Sequence, residues 1–264
     1  HNDFKSAANR LKNHRESLGK DKIKTLVADV DEVYNEFGGG LSSPIAIRNF
    51  LKFAYSSSPA QSLKYVLLFG DGDFDYKRIT VTGTNWIPPW ETPESYVDIN
   101  SYASEDPFAI FDNGGRVSLA VGRLSVRSLT EAEGVVDKII EYEKNPVLDP
   151  WKMRITYVAD DGPAAPGDDD GNMHTAHAED VARVTPNFIE KRKIYIVEYP
   201  TIVTSTGRRK PTANDAIVRQ MNEGTLFVNF SGHGNPRLWT HEHIFVRETD
   251  FPLLDNKGKY FYLI

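Results

Sequence analysis

The sequence predicts a three-layer α/β/α sandwich on mainly parallel sheet, arranged in two halves. Segments of strand and helix character alternate along most of the chain. The run YVLLF at 65–69 is apolar at every position, as in strands covered on both faces. With 264 residues, 40% hydrophobic and 26% charged, the chain can build one or two packed domains.

The elements follow from local pattern. Phe4, Ala7, Ala8, Leu11 and Leu18 recur at helical spacing behind a cap at Asn2 or Asp3 and stop at Gly19, giving a helix over 3–18. Residues 23–27 read as a short strand, 31–37 as a helical turn ending in three glycines, and 44–55 as a helix opened by Ser43 and Pro44. After the 65–69 strand, residues 80–113 lack periodicity and form a connection long enough to carry function. A strand at 117–121 and a helix at 129–144, with Val135, Val136, Ile139, Ile140 and Tyr142 on its apolar side, close the first half.

Two prolines bracket Asn145 to Pro150 and mark the best internal boundary, dividing an N-terminal α/β subdomain, 1–148, from a second, 149–264. The second half reads as strands at 153–159, 194–197, 225–230 and 260–264, and helices at 173–184 and 211–221. The chain stops on the 260–264 strand with no turn after it, so the expectation is a domain cut at both ends, with an apolar edge open to association.

Composition excludes several classes. Lys and Arg number 31 against 37 Asp and Glu, a net charge of −6, which argues against a nucleic-acid partner. There is no cysteine, hence no disulfide, thiolate metal site or thiol nucleophile within these residues. No apolar run approaches the ~20 residues that span a bilayer.

In open parallel sheets ligands bind at the carboxyl ends of the strands. Three such ends carry polar residues here: Gly70 to Asp75 after the first apolar strand, Asp160 and Asp161 after 153–159, and Ser231-Gly232-His233-Gly234 after 225–230. An imidazole between two glycines suits a general base with close substrate approach, with the Gly234 N–H as an oxyanion donor, or equally a structural turn. Glu105 and Asp106 either orient His233, line a cleft or are simply solvated. Asp71, Asp73 and Asp75 either bind a cation or cap a turn. Asp168, Asp169 and Asp170 offer oxygen ligands of the kind Ca²⁺ accepts, or cap the next helix. His174 with His177, and His241-Glu242-His243, have metal-like spacing without further evident ligands and read as surface or packing residues. Arg208-Arg209-Lys210 reads as a solvated loop. Trp86, Pro88, Pro89 and Trp90 line a peptide groove or pin their loop, and Trp239 is a pocket wall or core residue.

LLFGDGDFDY (67–76), SYASEDPFAIFD (101–112), VGRLSV and EAEGVVDKIIEYE (121–143), VADDG (158–162), GDDDGNMHTAHAED (167–180), FVNFSGHGN (227–235) and KGKYFYLI (257–264) occur in this order. Together they resemble the gingipain-type cysteine peptidases, and within that family most of all the type IX secretion sortases. The resemblance implies a caspase-like fold in two subdomains, 149–264 being the catalytic one, with His and Cys at the ends of adjacent parallel strands. His233 matches the catalytic His. The family's Cys falls just past Ile264 and its opening strand just before His1, so the chain as given is expected to be inactive.

For the sortases, the resemblance further implies that the C-terminal signal domain of secreted cargo is cleaved and the new end joined to lipopolysaccharide. The setting would be the cell surface of a Gram-negative bacterium, beside other outer-membrane components of the secretion system. No cofactor is required for a Cys-His dyad. Gingipain-like enzymes bind calcium, which points to Asp168 and Asp170 as structural ligands. Two other readings stand beside this one: a non-catalytic peptide-binding scaffold, and a haloacid-dehalogenase-type phosphotransferase using Asp71, Asp73 and Mg²⁺.

Overall fold

The computed structural model describes residues 1–59, 62–75, 79, 84–93, 102–144, 149–165, 168–259 and 261–264. Its contacts divide into two units, His1–Glu143 and Lys144–Ile264. Most of the boundary read at 145–150 lies outside the described residues.

In the C-terminal unit, four parallel strands run in the order Tyr262–Leu263, Phe227–Ser231, Arg154–Ala159, Glu190–Tyr195. Successive side chains of a strand face opposite ways. Val158, Ile194 and Val228 therefore pack with Ala213, Ile217 and Met221 of the Pro211–Glu223 helix. Tyr157, Ala159 and Tyr195 pack with Ala178 and Ala182 of the Met173–Val184 helix on the other side. The result is a helix layer on each face of the sheet. Each fully buried Val or Ile in it contributes about 1.5–3 kcal/mol.

The N-terminal unit repeats the scheme on a smaller sheet. Tyr65–Phe69 pairs in parallel with Ala120–Leu124. Leu68 joins the cluster of the helices Val30–Gly38 and Pro44–Ser57, while Phe69, the next residue, joins that of Lys5–Ser17 and Leu129–Lys144. Ser43 caps its helix as expected, accepting the Ile45 N–H, and Gly39 ends the preceding helix at φ 61°; Asp29 is an additional cap that accepts the Asp31 N–H, and in place of the cap expected at Asn2 or Asp3 the His1 side chain accepts the Asp3 N–H.

Several expectations need correction. Residues 23–27 form no strand. The Ile23 N–H donates to the Arg15 carbonyl at 3.1 Å and the Thr25 N–H to the Glu16 carboxylate at 3.0 Å, so this stretch is tied to the preceding helix. The 65–69 strand is covered only at its end: Leu68 and Phe69 are buried, whereas Tyr65 and Leu67 are exposed. The strand expected at 117–121 is Ala120–Leu124, because its register sets Tyr65 against Ala120, and Val117 makes only a single bridge to Ile110.

The strand expected at 194–197 is Glu190–Tyr195, after which the chain turns into the 3-10 helix Ile196–Glu198. Its first four residues are charged, as an edge strand permits, and Arg154 pairs with Glu190 at 2.8 Å across the ladder. The strand expected at 225–230 is Phe227–Ser231, since Thr225 is buried with its hydroxyl on Thr156 and Arg154. The last strand is Tyr262–Leu263, and the Tyr260 start expected for it lies outside the described residues.

Candidate active site

Parallel pairing sets Ser231 level with Ala159, so the residues that follow, Gly232-His233 and Asp160-Asp161, emerge side by side at the carboxyl edge of the sheet. The Asp160 N–H donates to the Ser231 carbonyl at 2.9 Å. In return Asp160 Oδ2 accepts the His233 N–H at 3.1 Å, and its Oδ1 accepts the Asp161 N–H at 2.9 Å. Gly232 has no room for a side chain: a Cβ there would lie 2.7 Å from the Asp160 Cβ and 2.8 Å from the Phe230 ring. Asp160 is 4% exposed. Burial pushes its carboxyl above the usual carboxylate range, against the pull of the two N–H donors.

A second carboxylate reaches the same imidazole. Gly162 lies so close to Gly171 that a Cβ would come within 2.2 Å of the Gly171 carbonyl oxygen, and the Asp170 N–H donates to the Gly162 carbonyl at 3.2 Å. This contact delivers Asp170 to the site. Its Oδ2 is 3.4 Å from His233 Nδ1, against 3.7 Å for Asp160 Oδ2. His174, in the first turn of the Met173–Val184 helix, is buried with Nε2 3.2 Å from Asp170 Oδ2 and Nδ1 3.4 Å from Ser231 Oγ. The His174 and His233 rings meet edge to face, centroids 5.1 Å apart. Two carboxylate oxygens thus face His233 Nδ1.

The loop after His233 is rigidly held. The His233 carbonyl accepts the Thr240 N–H at 2.8 Å, and Thr240 stands at φ 58°, a costly conformation for a β-branched residue. Trp239 stacks on Phe230 at 4.4 Å and 8° between planes and also contacts Phe245, so its indole is both a core residue and a half-exposed wall beside Gly234. Glu242, 2% exposed, lies 2.7 Å from Arg208, and burial raises its carboxyl. Lys210 is buried and reaches Asp161 at 3.1 Å and the carbonyls of Ile196 and Tyr199 at 2.5 and 2.9 Å. The basic cluster read as a solvated loop is thus an internal clamp in which Arg208 and Lys210 neutralise Asp161 and Glu242.

The other candidates have their own surroundings within each unit. Glu105 grips Arg123 through both oxygens, at 2.6 and 3.1 Å, in the N-terminal unit, and Asp106 is exposed at the start of the 3-10 helix Asp106–Ala109. Asp71 pairs with Arg127, Asp73 accepts the Asp75 N–H, and Asp75 accepts the Ile79 N–H, so these carboxylates close turns. Trp86 packs on Phe4 and donates to Asp3, and Trp90 meets Phe108 edge to face. His177 and His241 are exposed. The side chain of Asp168 lies outside what is described, while Asp170 faces two imidazoles. Sequence reasoning passed over Asp160 as a partner of His233 and set His174 aside as a packing residue. A pair of aspartates at a strand end followed by a glycine, and an Asp four residues before a helical His, were the available signals.

Two helix layers about a parallel sheet, with a histidine at a strand end beside the buried carboxylate of Asp160, define a caspase-like domain of the gingipain type. The sequence matches the model of peptidase family C25 over residues 1–264, and the chain belongs to that family of cysteine peptidases.

Among solved structures, the Arg-specific cysteine proteinase gingipain R (RgpB) of Porphyromonas gingivalis is similar at 22% identity and TM-score 0.67, over 98% of this chain and 51% of that one. The complex of the RgpB pro- and mature domains from the same organism gives 20% and 0.66, over 98% and 52%. Dimeric latent PorU of P. gingivalis gives 30% and 0.45, over 54% and 15%. The chain thus spans about half the length of the gingipain structures it matches. Comparison with curated proteins gives no match. Among the described residues no helix is long and apolar enough to cross a membrane.

Proposed function

We propose that this domain supplies the base half of a Cys-His dyad in a gingipain-type peptidase, with His233 as the base. The single observation behind this reading is the position of His233: exposed at a strand end, with Nδ1 turned toward Asp160 and Asp170. An imidazole so held points its Nδ1–H at a carboxylate, which orients the ring, and keeps the Nε2 lone pair for a thiol. The thiolate attacks the scissile carbonyl carbon, and the developing oxyanion is met by the Gly234 N–H, which has no protein acceptor among the described residues. Imidazolium then returns its proton to the leaving amine, and water or an amine resolves the acyl-enzyme.

The 264 residues hold no cysteine, so the thiol in this proposal lies outside them. Parallel register supports a place for it. Tyr262 and Leu263 pair with Phe227 and Val228, and the Ile264 carbonyl accepts the Phe230 N–H at 2.8 Å, so a strand continuing at ~3.3 Å per residue reaches the level of His233 within a few positions. The finer part of the proposal is the type IX secretion sortase reaction at the cell surface, in which the signal domain of cargo leaves and a lipopolysaccharide amine accepts the acyl group. It rests on the motif resemblance.

The test is labelling of the chain, extended past Ile264, by a thiol-directed activity probe. Labelling that falls at least about 100-fold in His233→Ala supports the dyad; absence of a thiol, or labelling indifferent to His233, overturns it. Partition of the acyl-enzyme between water and an added amine then separates hydrolysis from transfer.

A further inference from the structure

We infer that Asp160, His174 and His233 form a three-residue binding site for a borderline divalent transition metal such as zinc. One ligand atom from each of the three lies within 4.8 Å of the others. The spacing of the His233 ring from the Asp160 carboxylate points to an ion more than to a direct hydrogen bond. Charged N–H···O bonds run at about 2.7–2.9 Å, whereas His233 Nδ1 lies 3.7 Å from Asp160 Oδ2. A tetrahedron with metal–ligand bonds of 2.0–2.1 Å has edges of about 3.3 Å.

The donors are held in advance. Asp160 and His174 are 4% and 8% exposed, Asp160 is fixed by two backbone N–H groups, and Ser231 Oγ lies 3.4 Å from the other His174 nitrogen. His233, at the surface, leaves the site open to entry. Two imidazoles with carboxylate oxygens suit zinc better than calcium, which takes six to eight oxygens. The other acidic group, Asp160 with Asp161 and Glu242, carries no such inference because Arg208 and Lys210 already neutralise Asp161 and Glu242.

The site stands on geometry and does not need His233 to be a peptidase base. If it is one, metal at Nδ1 leaves the ring proton on Nε2, which then has no lone pair for a thiol.

The experiment is titration of the metal-stripped 264-residue chain with Co²⁺, read by its visible bands, and with Zn²⁺ in competition. With no cysteine in the chain, thiolate coordination cannot imitate the result. One equivalent bound in a four-coordinate spectrum, with a zinc Kd of about 10 μM or tighter, weakened at least about 10-fold by His233→Ala and by His174→Gln but unchanged by His177→Ala or His241→Ala, supports the site. No binding, binding that survives His233→Ala, or binding lost with His177 or His241 overturns it. His233 is exposed, so its variant keeps the test decisive if the buried His174 variant does not fold. Indifference of thiol labelling to His233 would sink the peptidase reading while leaving this site intact.

Discussion

The buried carboxylate of Asp160 accepts the backbone N–H of His233 at 3.1 Å, and its side chain fills the space that a Cβ on Gly232 would need. One aspartate thus fixes the main chain of the histidine and also faces its ring.

Asp160→Ala leaves two N–H groups, of His233 and Asp161, without their acceptor, and is expected to cost about 1–3 kcal/mol in urea unfolding. Asp160→Asn keeps an oxygen in place and is expected to cost less. Equal losses would show that the hydrogen bonds are not what the carboxylate provides.

Gly162→Ala is expected to destabilise the chain by several kcal/mol, since the new methyl would sit 2.2 Å from a backbone oxygen that cannot swing aside. Gly134, in the Leu129–Lys144 helix, has nothing within 4 Å of a Cβ, so Gly134→Ala should stabilise by about 0.5–1 kcal/mol. Thermal melts of the two variants shifting in the same direction would contradict both assignments.

Burial raises the Glu242 carboxyl in the folded chain. A raised folded value means that stability is fully present below the unfolded carboxylate range and lost as pH rises through the folded one. Glu242→Gln removes that titration, so its stability relative to wild type should improve from pH 4 toward pH 7. A difference independent of pH would refute the linkage.

Arg123 joins Glu105 to the carbonyls of Gly70 and Ile87 at 2.9 and 2.7 Å. Its side chain is 9% exposed, so Arg123→Ala should cost about 3 kcal/mol or more by leaving these acceptors unpaired. Glu105→Gln, retaining one oxygen, should cost about 1–2 kcal/mol. In the extended protein it should leave His233-dependent thiol labelling unchanged, and a matching loss of labelling would give Glu105 a part in the site after all.

Sequence by itself determined the layered α/β character, because apolar runs such as Tyr65–Phe69 and amphipathic helices such as Met173–Val184 and Leu129–Lys144 carry their own periodicity. It also singled out His233, because a histidine at the carboxyl end of an apolar strand stands where parallel sheets bind ligands, and the motif resemblance chose that reading over a structural turn. Tertiary structure alone decided the rest. Strand ends moved where pairing register, which is set by the partner strand, overrode local pattern, as at Ala120–Leu124 and Glu190–Tyr195. Asp160, Asp170 and His174 came to the imidazole through the parallel order of the sheet and the Gly162–Gly171 contact, and Glu105 gained its ion pair with Arg123. Partners 57 to 73 residues apart in sequence leave no local signature, since only the folded sheet brings them within reach of one another.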